Sequence, residues 1–105
     1  MSRRIFLKGT AEADLDRHFL FIAQDSVETA IRFHDAAQRA FDRLAGLPEI
    51  GARRTFSDPR LAAIRMWSIS EFPNHLIYYA PVADDIVVLR VLHARQDVDR
   101  VFEAR

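Results

Sequence analysis

The hydrophobic pattern of this chain changes period at about residue 46, and that change limits the folds open to it. Before it, apolar residues recur at helical spacing; after it, they gather in short runs separated by turn residues. Leu15, Phe19, Ile22 and Ala23 mark a first helix ending at about residue 24. Thr10 is placed as its N-cap, with Glu12 and Asp14 in the first turn, where the helix dipole favours anions. Asp25, with Glu28 three residues on, has the form of a capping box and restarts the chain as a second helix. Its apolar stripe of Val27, Ala30, Ile31, Ala37, Phe41, Leu44 and Ala45 runs until Gly46 and Pro48 end it. Ahead of both, Arg3 to Lys8 is short, centred on Ile5, Phe6 and Leu7, and stopped by Gly9, which predicts a strand.

Past a loop over Leu47 to Pro59, three further strands are expected: Leu61 to Ser70, His75 to Ala80 and Ile86 to Leu92. Phe72-Pro73-Asn74 and Ala83-Asp84-Asp85 are the turns between them. The last run, IVVLRVL, is apolar on both faces and is therefore placed at the centre of the sheet. Asp97 to Ala104 forms a short closing helix. The predicted order is β-α-α-β-β-β with a short C-terminal helix. This is an α+β fold, with an N-terminal strand and a two-helix hairpin packed on one face of a mostly antiparallel sheet. No linker, repeat or low-complexity tract interrupts the 105 residues, so residues 1–105 are expected to form a single domain.

Composition narrows the function classes. With no cysteine, there is no disulfide framework, thiolate metal site or thiol nucleophile. His18, His34 and His75 lie far apart in the order of elements and form no recognised metal spacing, so neither metal nor cofactor is expected. The opening residues lack the apolar run of a signal peptide, and no stretch approaches the roughly 20 apolar residues of a membrane span. A cytoplasmic protein without a membrane partner is the expectation. Formal charge is zero, 15 basic residues against 15 acidic, which argues against a surface built wholly for nucleic acid. Lys8 is the only lysine, and Arg53, Arg54, Arg60 and Arg65 face only Asp58 within residues 51–65, a candidate basic patch.

The motifs, taken in order, resemble those of the ParE/RelE toxin superfamily. Leu47-Pro48-Glu49-Ile50-Gly51 resembles that family's L-x-x-x-P-x-x-G region after the helical hairpin, and Leu61 with Arg65 resembles its L-x-x-x-R signature. Tyr78-Tyr79 resembles the following I-x-Y strand. Val88 to Asp97 (VLRVLHARQD) resembles the closing I-x-V-L-x-V-x-H-x-R-R-D signature, with Gln96 where a second arginine is usual. The resemblance spans nearly the whole chain. It implies the toxin of a type II toxin–antitoxin pair, with a cognate ParD-like antitoxin that is a DNA-binding dimer with a disordered tail.

Two actions follow from the resemblance. ParE-like members are associated with poisoning DNA gyrase by contact, which needs a binding surface and no catalytic set. RelE-like members are ribosome-dependent endoribonucleases of mRNA. In these, loop lysines, sheet arginines and a tyrosine of the last helix are linked to base, phosphate-binding and acid roles. Here no lysine follows Lys8, and position 101 is Val101 rather than tyrosine. Arg53 and Arg54 can supply loop cations, but arginine is a poor base. The ParE-like action is therefore favoured, with direct nucleic-acid binding not expected. The alternative is a nuclease using His93, Arg65 and Arg95. His93 reads as acid or base, or as a histidine that orders the turn after its strand. Arg65 and Arg95 read as phosphate grips, or as partners of Asp97 and Glu71. The expected surface for antitoxin or target is the groove between hairpin and sheet, with Phe19, Phe33 and Trp67 in it and Arg53, Arg54, Arg65 and Arg95 at its rim.

Overall fold

The computed structural model describes residues 3–103. Strand β1 (Arg4–Leu7) leads into helix α1 (Gly9–Ala23), which turns at once into α2 (Val27–Gly46). A two-residue strand β2 (Ala52–Arg53) and a 3-10 turn (Pro59–Leu61) precede β3 (Arg65–Ile69), β4 (Phe72–Val82), β5 (Asp85–His93) and α3 (Val98–Glu103). The sheet order is β1-β5-β4-β3-β2, with β1 parallel to β5 and every other pair antiparallel. The predicted α+β architecture is the observed one; IVVLRVL is an interior strand, with β1 on one side and β4 on the other, while the middle of the five is β4.

Several local expectations shift. Thr10 lies inside α1 rather than capping it. Lys8 holds the N-cap position without a side-chain cap, and the Thr10 hydroxyl donates to the Leu89 carbonyl at 2.9 Å. The cap of α2 is Ser26, whose Oγ accepts from the Thr29 amide at 3.1 Å, so the Asp25–Glu28 box is displaced by one residue. Leu61 belongs to the 3-10 turn, and β3 begins at Arg65. Phe72-Pro73-Asn74 is strand rather than turn, because the reversal falls one step earlier at Ser70-Glu71, where Glu71 takes φ 72°. The proline is tolerated there because the β3–β4 register shifts between Ser68 and Ile69, a bulge that relaxes the ladder. The two residues of β2 were not anticipated.

Two apolar layers cover the sheet. The hairpin side is filled by Phe33, Ala36, Ala37, Phe41 and Leu44 of α2 against Ile69, Ile77, Tyr79, Ile86, Val88 and Val91. On the other side Tyr78, Leu92, Ile64 and Val98 pack with Phe56, Met66, Leu89, Val101 and Phe102. The second layer makes α3 and the 56–64 segment part of the core rather than appendages. Small residues dominate the buried face of α2, which lets the helix sit close to the strands. Val27 and Ile31, expected in the buried stripe, are 60% and 50% exposed: four residues apart, they share a helix face turned away from the one that buries Ala30, Phe33, Ala37 and Phe41.

A bulge in β5 sets the phase of the sheet. Tyr78 pairs with Arg90 but Tyr79 with Val88, so Leu89 is an extra residue. Val88 and Val91 thereby both enter the hairpin-side core, and Leu89 and Leu92 both enter the opposite one. A period-two strand forbids each of these pairs without a bulge.

Candidate binding surfaces and the histidine pocket

The bulge serves a buried carboxylate. Asp14, only 1% exposed, accepts from Arg90 Nε at 2.7 Å, Arg90 Nη2 at 2.8 Å, the Val91 amide at 2.9 Å and Arg17 Nη2 at 2.5 Å. Burial by itself raises the carboxyl pKa. The hydrogen bonds from Arg90 and Val91 and the charges of Arg90 and Arg17 outweigh it, and the net shift is downward. The sequence marks Asp14 only as a first-turn anion favoured by the helix dipole. Its actual role is to fasten α1 to β5.

The motif residues of the middle of the chain converge on a second structural knot. The Tyr79 hydroxyl donates to the Pro48 carbonyl at 2.9 Å and accepts from the Gly51 amide at 2.9 Å. Arg65 Nη1 donates to the carbonyls of Gly51 at 2.7 Å and Glu49 at 3.1 Å. A Cβ on Gly51 would stand 2.6 Å from the Tyr79 hydroxyl and 2.9 Å from the Met66 carbonyl, so only glycine lets the loop lie against the sheet here. Arg65 thus grips its own backbone, and neither Asp97 nor Glu71 is its partner. Asp97 instead caps α3 through the Arg100 amide, and Glu71 pairs with Arg39 at 3.2 Å.

The expected basic patch is largely spent internally. Arg54 pairs with Asp99 at 3.3 Å and lies over the Phe56 ring, and Arg60 pairs with Asp58 at 2.7 Å. Arg53, on the edge strand β2, is exposed. Nor do the three residues named for a nuclease assemble. Arg65 is registered with Tyr79 and His93 with His75, four residues along β4 and on opposite flanks of it. That separates their backbones by about 13 Å along the strands and about 10 Å across them. Val101 packs into the core beside Tyr78.

Of the aromatic residues expected on the docking face, Phe33 is 1% exposed and belongs to the core. Its ring meets Phe72 at 5.3 Å and His75 at 4.9 Å. Phe19 is half-buried in a separate crevice between α1 and α2, with Leu15, His34 and Gln38. Trp67 alone sits in a groove between hairpin and sheet, about 690 Å³, floored by Ala36, Ala40 and Ile69 and flanked by Arg39 and Arg43. The two α2 arginines were not singled out from sequence, although their spacing of four puts them on one helix face.

Folding also gathers three histidines that the sequence keeps apart. His18 of α1, His75 of β4 and His93 of β5 form a row, with ring centroids 4.9 Å and 5.1 Å apart and each pair edge-to-face. His18 Nε2 donates to the Val91 carbonyl at 2.8 Å, and His93 Nδ1 accepts from the Arg95 amide at 3.1 Å. Burial, and then the neighbouring His18 and His93, push the His75 pKa down to about 4; burial lowers that of His18 as well. The His93–Arg95 bond is the turn-ordering contact weighed in the sequence, and Gln96 adds to it by accepting from the His93 amide at 2.9 Å. Among the described residues no group of three or more His, Cys, Asp or Glu has the geometry to hold a metal ion.

The model of the ParE toxin of the type II toxin–antitoxin system parDE matches residues 5–98. The chain belongs to the ParE toxin family. Among solved structures, the ParE-family chain is similar to one titled chromosomal ParDE TA system from P. aeruginosa. The TM-score is 0.69 at 17% identity, over 88% of this chain and 96% of that one. At that identity the likeness is one of fold. A conserved hypothetical protein from Helicobacter pylori, HP0894, matches with a TM-score of 0.46 at 18% identity, over 87% of this chain and 93% of that one. No curated protein matches. The α+β order and the C-terminal helix of this ParE-family chain agree with the P. aeruginosa likeness. Among its described residues no helix is long and apolar enough to cross a membrane.

Proposed function

We propose that this toxin-family chain acts by contact on DNA gyrase and is neutralised by a ParD-like antitoxin whose tail enters the groove between α2 and β3. Family membership supports the pairing with an antitoxin and, with it, the gyrase target. The groove itself carries the docking reading, because it combines an apolar floor at Trp67, Ala36 and Ala40 with a cation at Arg43 and an exposed Arg39–Glu71 pair that an acidic partner can compete for. Such a site suits a chain segment that alternates apolar and acidic residues and gains order on binding. The edge of the sheet supports the same reading. The two residues of β2 cover β3 only at Arg65 and Met66, so Trp67 to Ile69 form an open edge beside the groove. The separation of His93 from Arg65 weighs against the nuclease alternative.

Two measurements test this. Induction without antitoxin is expected to arrest growth with filamentation and a DNA-damage response, and purified toxin to inhibit gyrase supercoiling. Codon-specific cuts in mRNA with intact supercoiling would overturn it. For the groove, Trp67→Ala and Arg43→Glu are each expected to weaken antitoxin binding by about tenfold or more, measured by calorimetry. Unchanged affinity in both folded variants would place the tail elsewhere.

A further inference from the structure

The histidine row lines one wall of an open pocket of about 360 Å³, with Phe21 and Ile22 of α1 along its other side and Arg17 and Arg95 at its rim. The groove proposed for the antitoxin shares no residue with it, and of its lining only His93 and Arg95 enter the nuclease alternative. Its chemistry is one-sided: every polar side chain lining it is an imidazole or a guanidinium, and none is a carboxylate. The carboxylate beside Arg17, Asp14, already accepts four hydrogen bonds and is almost wholly buried.

The hydrogen bonds fix which ring atoms remain. Since His93 Nδ1 accepts from the Arg95 amide, the neutral ring carries its proton on Nε2, which is free to donate. His18 spends its Nε2 proton on Val91. Neither ring nitrogen of His75 has a hydrogen-bond partner among the described residues, although the ring is half-buried at the centre of the row. The cavity therefore offers imidazole N–H donors at its wall, fixed positive charge at its rim and apolar faces between them.

We propose that this cavity binds a phosphate ester carrying a flat ring, of nucleoside monophosphate class. The guanidinium of Arg95, together with His93 Nε2–H, takes the phosphate, as planar forks and N–H donors do for tetrahedral anions. The base lies against Phe21 and Ile22. The volume falls at the lower end of small-ligand cavities, about 300–1,000 Å³, and so fits a single nucleotide rather than a dinucleotide. The same chemistry is presented by a free mononucleotide and by the 5′-phosphorylated end of a strand.

The test is a titration of the full-length chain followed through the histidine Cε1–H resonances. AMP, adenosine, inorganic phosphate, a 5′-phosphorylated trinucleotide and a hexaglutamate peptide are added separately. AMP is expected to move His75 and His93 while leaving the exposed His34 in place. Inorganic phosphate should compete with it, and adenosine should bind about tenfold more weakly. Arg95→Gln, an exposed position, should weaken AMP about tenfold with the His34 and amide spectrum unchanged. A trinucleotide that binds as well as AMP or better identifies strand ends as the source, and one that binds less well identifies the free nucleotide. The proposal is overturned if the histidines do not respond at about 10 mM AMP, where a ligand with a Kd near 1 mM would be mostly bound. It is equally overturned if hexaglutamate moves the same resonances at lower concentration than AMP, or if Arg95→Gln changes nothing.

Discussion

Replacing Asp14 by alanine removes the single acceptor shared by Arg90, Arg17 and the Val91 amide. Removing one partner of a buried ion pair costs about 3–5 kcal/mol. The low end applies here, because the Arg90 side chain is 24% exposed and can recover some hydration. Arg17, whose side chain is 58% exposed, adds little. The Val91 amide, left buried and unpaired, accounts for about 1–3 kcal/mol of the total. A loss of about 3 kcal/mol is a large share of the roughly 5–15 kcal/mol that holds a domain of this size. With a urea slope near 1.3 kcal/mol per molar, the unfolding midpoint should fall by about 2 M. Trp67 fluorescence and far-UV circular dichroism would follow the transition. Asp14→Asn should lose somewhat less, since it keeps the volume and one acceptor oxygen but turns an amide N–H towards the donors. The pair Asp14→Leu with Arg90→Met should regain part of the loss, because no charge is then stranded. A midpoint shift under about 0.5 M for Asp14→Ala, or a double variant no better than the single, would refute the view that this carboxylate fastens α1 to the sheet.

Two further outcomes follow from the other clusters. Gly51→Ala should destabilise by about 1–3 kcal/mol, and Tyr79→Phe by about 1–2 kcal/mol through loss of both hydrogen bonds. Combining them should cost less than their sum in thermal or urea unfolding, since the missing hydroxyl relieves the closest contact; strict additivity would separate the two residues. For pH, the folded His75 has a pKa of about 4 against 6.5 unperturbed. Its contribution is thus complete above pH 6.5 and declines as pH falls towards 4, because the unfolded chain takes up a proton the folded one refuses. Discounted for the partial exposure of the ring, the loss is about 1–2 kcal/mol. His75→Gln should flatten the stability curve in that window. Asp14, whose pKa is lowered, contributes fully above its unperturbed 3.8, and its contribution is lost only below that window. A wild-type slope preserved in the variant would assign the acid sensitivity to His18 instead.

The order of elements was legible in the sequence because it rests on local signals: helical spacing up to Gly46, short strand runs after it, and glycine or proline at the breaks. The shift from Asp25 to Ser26 as cap of α2 is a choice between neighbours that both carry cap-forming side chains, which only the backbone geometry decides. IVVLRVL announces a strand buried on both faces, but nothing in it reveals the bulge at Leu89 that sends Val88 and Val91 to one side. The motif residues Gly51, Arg65 and Tyr79 were visible as a pattern. Their meeting in one knot depends on pairing between β3, β4 and the loop ahead of them. Phe33 was legible as an aromatic on α2 but not as core, since burial is a property of what packs against it.

By itself, then, the sequence determined the elements, their order and the family, since hydrophobic period, turn residues and motif spacing act over a few residues at a time. Only the tertiary structure decided which side chains meet. Asp14 and Arg90 are 76 residues apart in the chain and 2.7 Å apart in space, and His18 joins His75 and His93 across three elements. Such contacts are set by strand register and helix placement, which no local pattern encodes.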